Sequence, residues 1–155
     1  MTRLITAFLF VLLLKPAGSN SCSFITLTGS GISASQERIT GSFSVIENNG
    51  PFRVLVQQGR QTALTITGEN NILPEISTEV RNGRLYIGYR KQNLRATHQE
   101  VVISLVVPSL TALVQNGDGS IEGIGDWDRH DIRISNCGKG EINWSMTQDA
   151  LYSMR

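Results

Sequence analysis

The densest group of reactive side chains in the sequence is Asp126-Trp127-Asp128-Arg129-His130-Asp131, three carboxylates, an imidazole and an indole within six residues. Acids and an imidazole can hold a cation, and an indole can stack on a sugar ring while neighbouring carboxylates accept from its hydroxyls. Spacing disfavours calcium. A helix-loop-helix calcium site wants glycine at its sixth position, where Asp131 stands, and glutamate at its twelfth, where Cys137 stands. Asp126, Trp127, Asp128 and His130 remain candidate ligand residues, weighed against a solvated connection, the usual fate of a charge cluster.

The one basic stretch holds Arg81, Arg84, Arg90, Lys91 and Arg95. Arg84, Tyr86 and Gly88 alternate with Leu85, Ile87 and Tyr89, so one strand face is polar or cationic. Arg84 and Arg90 are its candidate contacts to an anionic glycan or phosphate, again weighed against a solvated face. Asp118 and Glu141 are a candidate acid pair for glycoside cleavage if adjacent chain levels bring them within about 5 to 10 Å. His98 and His130 belong to no HxH or HExxH pattern, and no serine lies in GxSxG. Gly29-Ser30-Gly31 and Gly117-Asp118-Gly119 lack the glycine, lysine and helix of a phosphate loop. These residues predict no catalytic constellation, no metal site and no cofactor.

Residues 1–21 read as a signal peptide. A short basic start containing Arg3 precedes the apolar run Leu4 to Leu14, and Lys15-Pro16 ends it well short of the roughly 18 residues of a bilayer span. Cleavage is expected between about residues 19 and 21, with export to the periplasm, outer membrane or cell surface. A cut before Cys22 would make it a candidate for lipidation, although Ser19, Asn20 and Ser21 lack the leucine or valine of a bacterial lipobox. Cys22 and Cys137 are expected to stay unpaired, since nearly the whole domain separates them and a bridge needs Cα atoms within about 7 Å. Without Arg3 and Lys15, 12 basic and 13 acidic residues remain, a charge of −1, which argues against nucleic acid as a partner. A chain of 155 residues with 40% hydrophobic and 17% charged side chains suits one globular domain and argues against disorder.

The elements that must position these groups are strands. Phe43 to Ile46, Phe52 to Gln57, Ala63 to Thr67, Arg84 to Tyr89 and Val101 to Val107 are rich in branched and aromatic residues, separated by turn signals such as Asn48-Asn49-Gly50-Pro51 and Pro108-Ser109. Asn82-Gly83 predicts a two-residue hairpin between Ile76 to Val80 and Leu85 to Tyr89. Sliding the chain by 21 residues superposes Leu113 to Ile121 on Ile134 to Ile142, with Gly117 over Gly138 and Gly119 over Gly140; a weaker match sets Gly29 over Gly50 and Ile25 over Ile46. Twenty-one extended residues give a contour of about 70 Å, the order of one turn of a three-sided coil. The expectation is an all-β right-handed solenoid with 21-residue turns, the alternative a β-sandwich. Glycine corners would leave the β region, often with positive φ, without Cβ strain. Leu113, Ile121, Ile134 and Ile142 would face inward, with Asp118 and Lys139 outside.

The succession Gly29-Ser30-Gly31, Gly50-Pro51-Phe52-Arg53-Val54, Gln58-Gly59, Asn70-Asn71-Ile72-Leu73-Pro74, Thr78-Glu79-Val80, Gly83-Arg84-Leu85, Val107-Pro108-Ser109-Leu110 and Gly117-Asp118-Gly119 resembles the GIN domain over about Ser23 to Ser145. The resemblance implies an exported bacterial β-helical domain of the autotransporter-adhesin head type and supplies no catalytic residues. It places a GIN-like solenoid at 22–145. The polar tail 146–155 lacks glycine and β alternation, and reads as a cap, a truncation or the neighbour of a self-associating end. The expected function is a non-catalytic interaction module of the cell envelope whose partner is an envelope protein or a glycan. The alternative is a carbohydrate-binding or polysaccharide-active β-helix.

Overall fold

The computed structural model describes residues 23–127 and 131–144. The signal-peptide segment, Cys22, Asp128, His130 and the tail 146–155 lie outside the described residues. The branched runs form β3 (Val45–Asn48), β4 (Arg53–Gln58), β5 (Ala63–Glu69), β6 (Ile76–Arg81), β7 (Arg84–Tyr89) and β9 (Val102–Val107). The repeat supplies β10 (Ala112–Gln115), β11 (Ser120–Ile124), β12 (Arg133–Asn136) and β13 (Glu141–Asn143). Three further strands, β1 (Ile25–Thr28), β2 (Ser33–Arg38) and β8 (Leu94–Thr97), are short or polar and gave no signal of their own. A 3-10 turn, Leu73–Glu75, carries Pro74 where a missing N–H costs nothing.

These strands make three sheets, in the orders β12-β10-β3-β7-β6, β13-β11-β4-β9-β5-β2 and β1-β8. The fold is all-β with mixed sheets. Pairing is parallel and in register through four stacked levels. One row sets Leu85, Ile46, Leu113 and Ile134 side by side, and the other sets Ile103, Val54, Ile121 and Ile142. The inner faces of the two large sheets meet along these rows, and Leu85, Ile46, Leu113, Ile103, Val54 and Ile121 are fully buried. Burial of each such side chain contributes about 1.5–3 kcal/mol before entropy is counted.

The 21-residue step is real between the last two levels, where Ala112 pairs with Arg133 and Ser120 with Glu141. It does not extend through the chain. β3 and β4 lie between the level holding β7 and β9 and the level holding β10 and β11, so the levels stack out of chain order. β6 runs antiparallel to β7, and β5 antiparallel to both β9 and β2. The weaker repeat fails outright: Ile25 pairs with Leu94, and the strand paired with Ile46 on one side is β7 and on the other β10. Ile134 matches Leu113 in register but is 47% exposed, because β12 is the outermost strand of its sheet among the described residues and no further level covers it. Asp118 and Lys139 are exposed as expected.

The corners are held by a device the sequence reading missed. Asn48 and Gln115 are fully buried. Asn48 Nδ2 donates to Phe52 O at 2.9 Å and to Gln115 Oε1 at 3.0 Å, while Gln115 Nε2 donates to Gly117 O and Gly119 O, each at 3.1 Å. Asn136 repeats the pattern toward Gly140 O at 2.7 Å. An amide two residues before each corner glycine thus gives the carbonyls of the bend a further hydrogen bond, and Phe52 O, Gly117 O and Gly119 O also accept from backbone N–H groups of the next level. The glycines themselves are required for close approach. Gly117, Gly119, Gly138 and Gly140 have no positive φ. A Cβ on Gly119 would overlap the Phe52 carbonyl, and one on Gly140 the carbonyl of Gly119. Positive φ is found at Gly31 (74°) in the first Gly-Ser-Gly corner, at Gly125 (77°), and at Asn82 (50°) and Gly83 (72°), which turn the expected hairpin between β6 and β7.

Candidate functional site

The outer face of the five-stranded sheet carries the polar residues of the alternating β7 pattern. Arg84, Tyr86 and Gly88 point away from the core formed by Leu85 and Ile87, with Glu47 and Asn49 beside them from the β3 side and Ser77, Glu79 and Arg81 from β6. Where this face meets the loop after β7, Asn49, Ser77, Glu79, Arg81, Tyr86 and Gly88 to Gln92 line an open groove of about 630 Å³.

Its charges are held from below. The Arg90 guanidinium Nε donates to Pro74 O at 2.7 Å, Lys91 Nζ lies 3.6 Å from Glu75 Oε2, and Arg81 pairs with Glu79. Arg81 and Ser77 hold the Glu79 carboxyl below the usual carboxylate range by donating hydrogen bonds to it. Arg38, reaching across from β2, donates to Leu73 O at 2.8 Å, Ile76 O at 2.7 Å and Thr78 Oγ1 at 3.1 Å, fixing the same 3-10 turn. Burial, with the positive charge of Arg90 nearby, lowers its pKa. Tyr89 closes the inner end of the groove: its ring meets Phe52 edge-on at 5.1 Å, its hydroxyl lies 2.6 Å from His98 Nε2, and burial pushes its pKa up.

A second, smaller cleft of about 300 Å³ lies at the glycine corner, lined by Pro51, Arg53, Glu100, Asp118, Lys139 and Glu141 among others. Arg53 and Glu122 form a two-pronged pair at 2.9 Å each beside it. That pair raises the Arg53 pKa and lowers that of Glu122.

Among the candidate residues, Arg90 lines the groove, whereas Arg84 is drawn off by Glu47 Oε2 at 2.6 Å and lies 5.9 Å from the Tyr86 ring centroid. Trp127 is buried rather than offered to a sugar, packed on Trp144 with ring centroids 4.7 Å apart, because its indole belongs to the apolar core. Asp126 is exposed and lines a separate hollow with Gln58, Arg60 and Pro108. His98 is partly buried against Tyr89. Arg95 stacks on Phe24 at 3.9 Å. Cys137 is free and exposed. Gly29 approaches the carboxylate of Glu69, and Gly50 is covered by the Phe52 ring. Among the described residues, no three metal-ligating side chains converge. The sequence reading placed Tyr86 on this polar face but missed Asn49 and Ser77 as lining, since β6 and the end of β3 meet β7 only through sheet pairing.

Solved structures share this fold. A Parabacteroides merdae protein described as a "putative adhesin" shares the fold with a TM-score of 0.65 and 13% identity over 72% of this chain and 46% of its own. A Bacteroides fragilis "putative adhesin" gives 0.60 and 18% over 75% and 63%, and a Parabacteroides distasonis "putative lipid binding protein" gives 0.59 and 18% over 77% and 55%. The chain therefore spans between 46% and 63% of the length of these structures. The family profile described as "Putative auto-transporter adhesin, head GIN domain" matches residues 42–153, and the chain belongs to the GIN-domain family. Comparison with curated proteins finds no match.

Proposed function

We propose that this chain is an exported, non-catalytic interaction domain of the bacterial cell envelope, a short β-solenoid that binds through its outer sheet faces in the manner the adhesin description of its family implies. The observation that carries this reading is the groove on the five-stranded sheet, an open trough of mixed polar and apolar lining with three cations along it. The in-register levels support the solenoid assignment, since each gains its core and its ladder from the next.

The experiment is saturable binding of labelled protein to isolated bacterial envelopes and to immobilised glycans. Binding no greater than that of an unrelated β-domain refutes the proposal. A second reading, polysaccharide cleavage, is favoured by one fact: Asp118 and Glu141 share the corner cleft. Release of reducing ends from a polysaccharide by the wild type, abolished by Asp118→Ala, would establish it in place of the first.

A further inference from the structure

We propose that the groove over Gly88 is a binding site for an acidic carbohydrate, a glycan bearing uronate carboxylates, which rests on the surface-binding reading above and names its ligand class. Three features of the groove converge on that chemistry.

The first is Gly88 itself. Glycine in a strand interior weakens the strand and marks places where something approaches the backbone closely. Every corner glycine has a reason within the fold, but Gly88 has none: its φ is not positive, and a Cβ there would meet nothing nearer than Asn49 Cβ at an ordinary 3.7 Å. Its cross-strand neighbour Ser77 is small as well. Together they leave a floor of bare backbone in the middle of the lining.

The second is the kind of charge. Arg81, Arg90 and Lys91 supply three cations, and Glu79 supplies one carboxylate among them. Phosphodiester and polyphosphate chains carry only acceptors along their backbone, so they are repelled by the Glu79 carboxylate and add no donor to those it already has in Arg81 and Ser77. A uronate offers both an anion for the cations and hydroxyl groups that donate to Glu79 and to the Ser77 oxygen. The third is the wall. Tyr86 stands beside the glycine floor on the same strand face, an aromatic surface of the type that packs against the C–H face of a pyranose, with Asn49 and Gln92 supplying amides for hydroxyl pairing.

The test is titration of the full chain with tetragalacturonate, with the neutral galactose tetrasaccharide, and with a polyphosphate of similar charge. Tetragalacturonate is expected to bind at least about tenfold tighter than either. Gly88→Val, which fills the floor with a good strand former, is expected to abolish that binding while leaving the urea midpoint unchanged or raised. Arg81→Gln combined with Lys91→Gln, at two exposed positions, is expected to weaken it by at least about tenfold and to flatten its salt dependence. Binding that survives Gly88→Val in folded protein overturns the proposal, as does equal or tighter binding of polyphosphate or of the neutral sugar. Envelope binding without uronate binding removes this inference and leaves the broader reading standing; uronate binding without envelope binding does the reverse.

Discussion

The same substitution, glycine to alanine, should have opposite effects at two places in this fold. At Gly119 the new Cβ would lie 2.5 Å from Phe52 N and 2.7 Å from its carbonyl carbon, and closer still to the oxygen. These are backbone atoms of the adjacent level and have no rotamer to change. Relief requires β11 to draw away from β4, which stretches Ser120 N to Phe52 O, now 3.0 Å, and Gly119 N to Gly50 O, now 3.3 Å. One or two weakened hydrogen bonds at about 0.5–1.5 kcal/mol each, with overpacking strain of about 1–3 kcal/mol, make a loss of about 1.5–6 kcal/mol. That is a large share of the roughly 5–15 kcal/mol available to a domain. At Gly88, where the nearest atom is 3.7 Å away, alanine removes unfolded-state freedom without a clash and should be neutral or stabilise by up to about 1 kcal/mol. Urea unfolding followed by tryptophan fluorescence measures both. A Gly119→Ala variant within about 0.5 kcal/mol of wild type would show that the stacked backbones are not held at the spacing described.

Three further outcomes follow from the packing and the carboxylates. Gln115→Ala should cost about 2–4 kcal/mol, because three hydrogen bonds and a buried volume go, while Gly117 O and Gly119 O keep their bonds from Gly140 N and Glu141 N; denaturant titration, with Asn48→Ala in a double-mutant cycle, should show the two amides to be coupled. Ile121→Ala should cost about 2–5 kcal/mol and Ile134→Ala much less by the same assay, although the two are register equivalents of core positions, since only the first is buried. Glu69 accepts from Gln99 N at 2.9 Å and Gly31 N at 3.0 Å, which hold its pKa below the ordinary 4.5. Its stabilising effect is therefore complete above the unfolded value and lost as pH falls through the lowered one; thermal melts between pH 7 and pH 3 should show a steeper acid decline for wild type than for Glu69→Gln.

What could be read from the sequence was what depends on near neighbours. Asn82-Gly83 fixes its hairpin by backbone preference alone, and the strands on either side formed within a residue of their expected ends. The 21-residue match found a true pairing because β10 to β13 stack consecutively. It misled at Gly29 because a turn signal does not reveal which sheet its strand joins. β2, with the sequence SASQER, has no apolar alternation since it is an edge strand whose neighbour β5 lies on one side only. The corner amides were legible in principle: Asn48, Gln115 and Asn136 each stand two places before a corner glycine. The glycine argument held for Gly31, which has positive φ, whereas Gly117, Gly119, Gly138 and Gly140 are needed because another backbone passes close by and Gly29 and Gly50 because a side chain does. The groove was half legible, as Tyr86 lies on β7 and Arg90 directly follows that strand, while its opposite walls come from β6 and the turn after β3.

The out-of-order stacking also governs how the molecule can be made. Residues 45–58 sit sandwiched between segments that the ribosome produces later, 84–107 on one side and 112–124 on the other. Assembly cannot proceed as simple accretion from the amino end, because this middle layer has neither neighbour when it emerges. Until both arrive, its apolar strands must wait unpaired, so folding should be slow and late, governed by closure of long loops, with a window in which those strands are open to wrong partners.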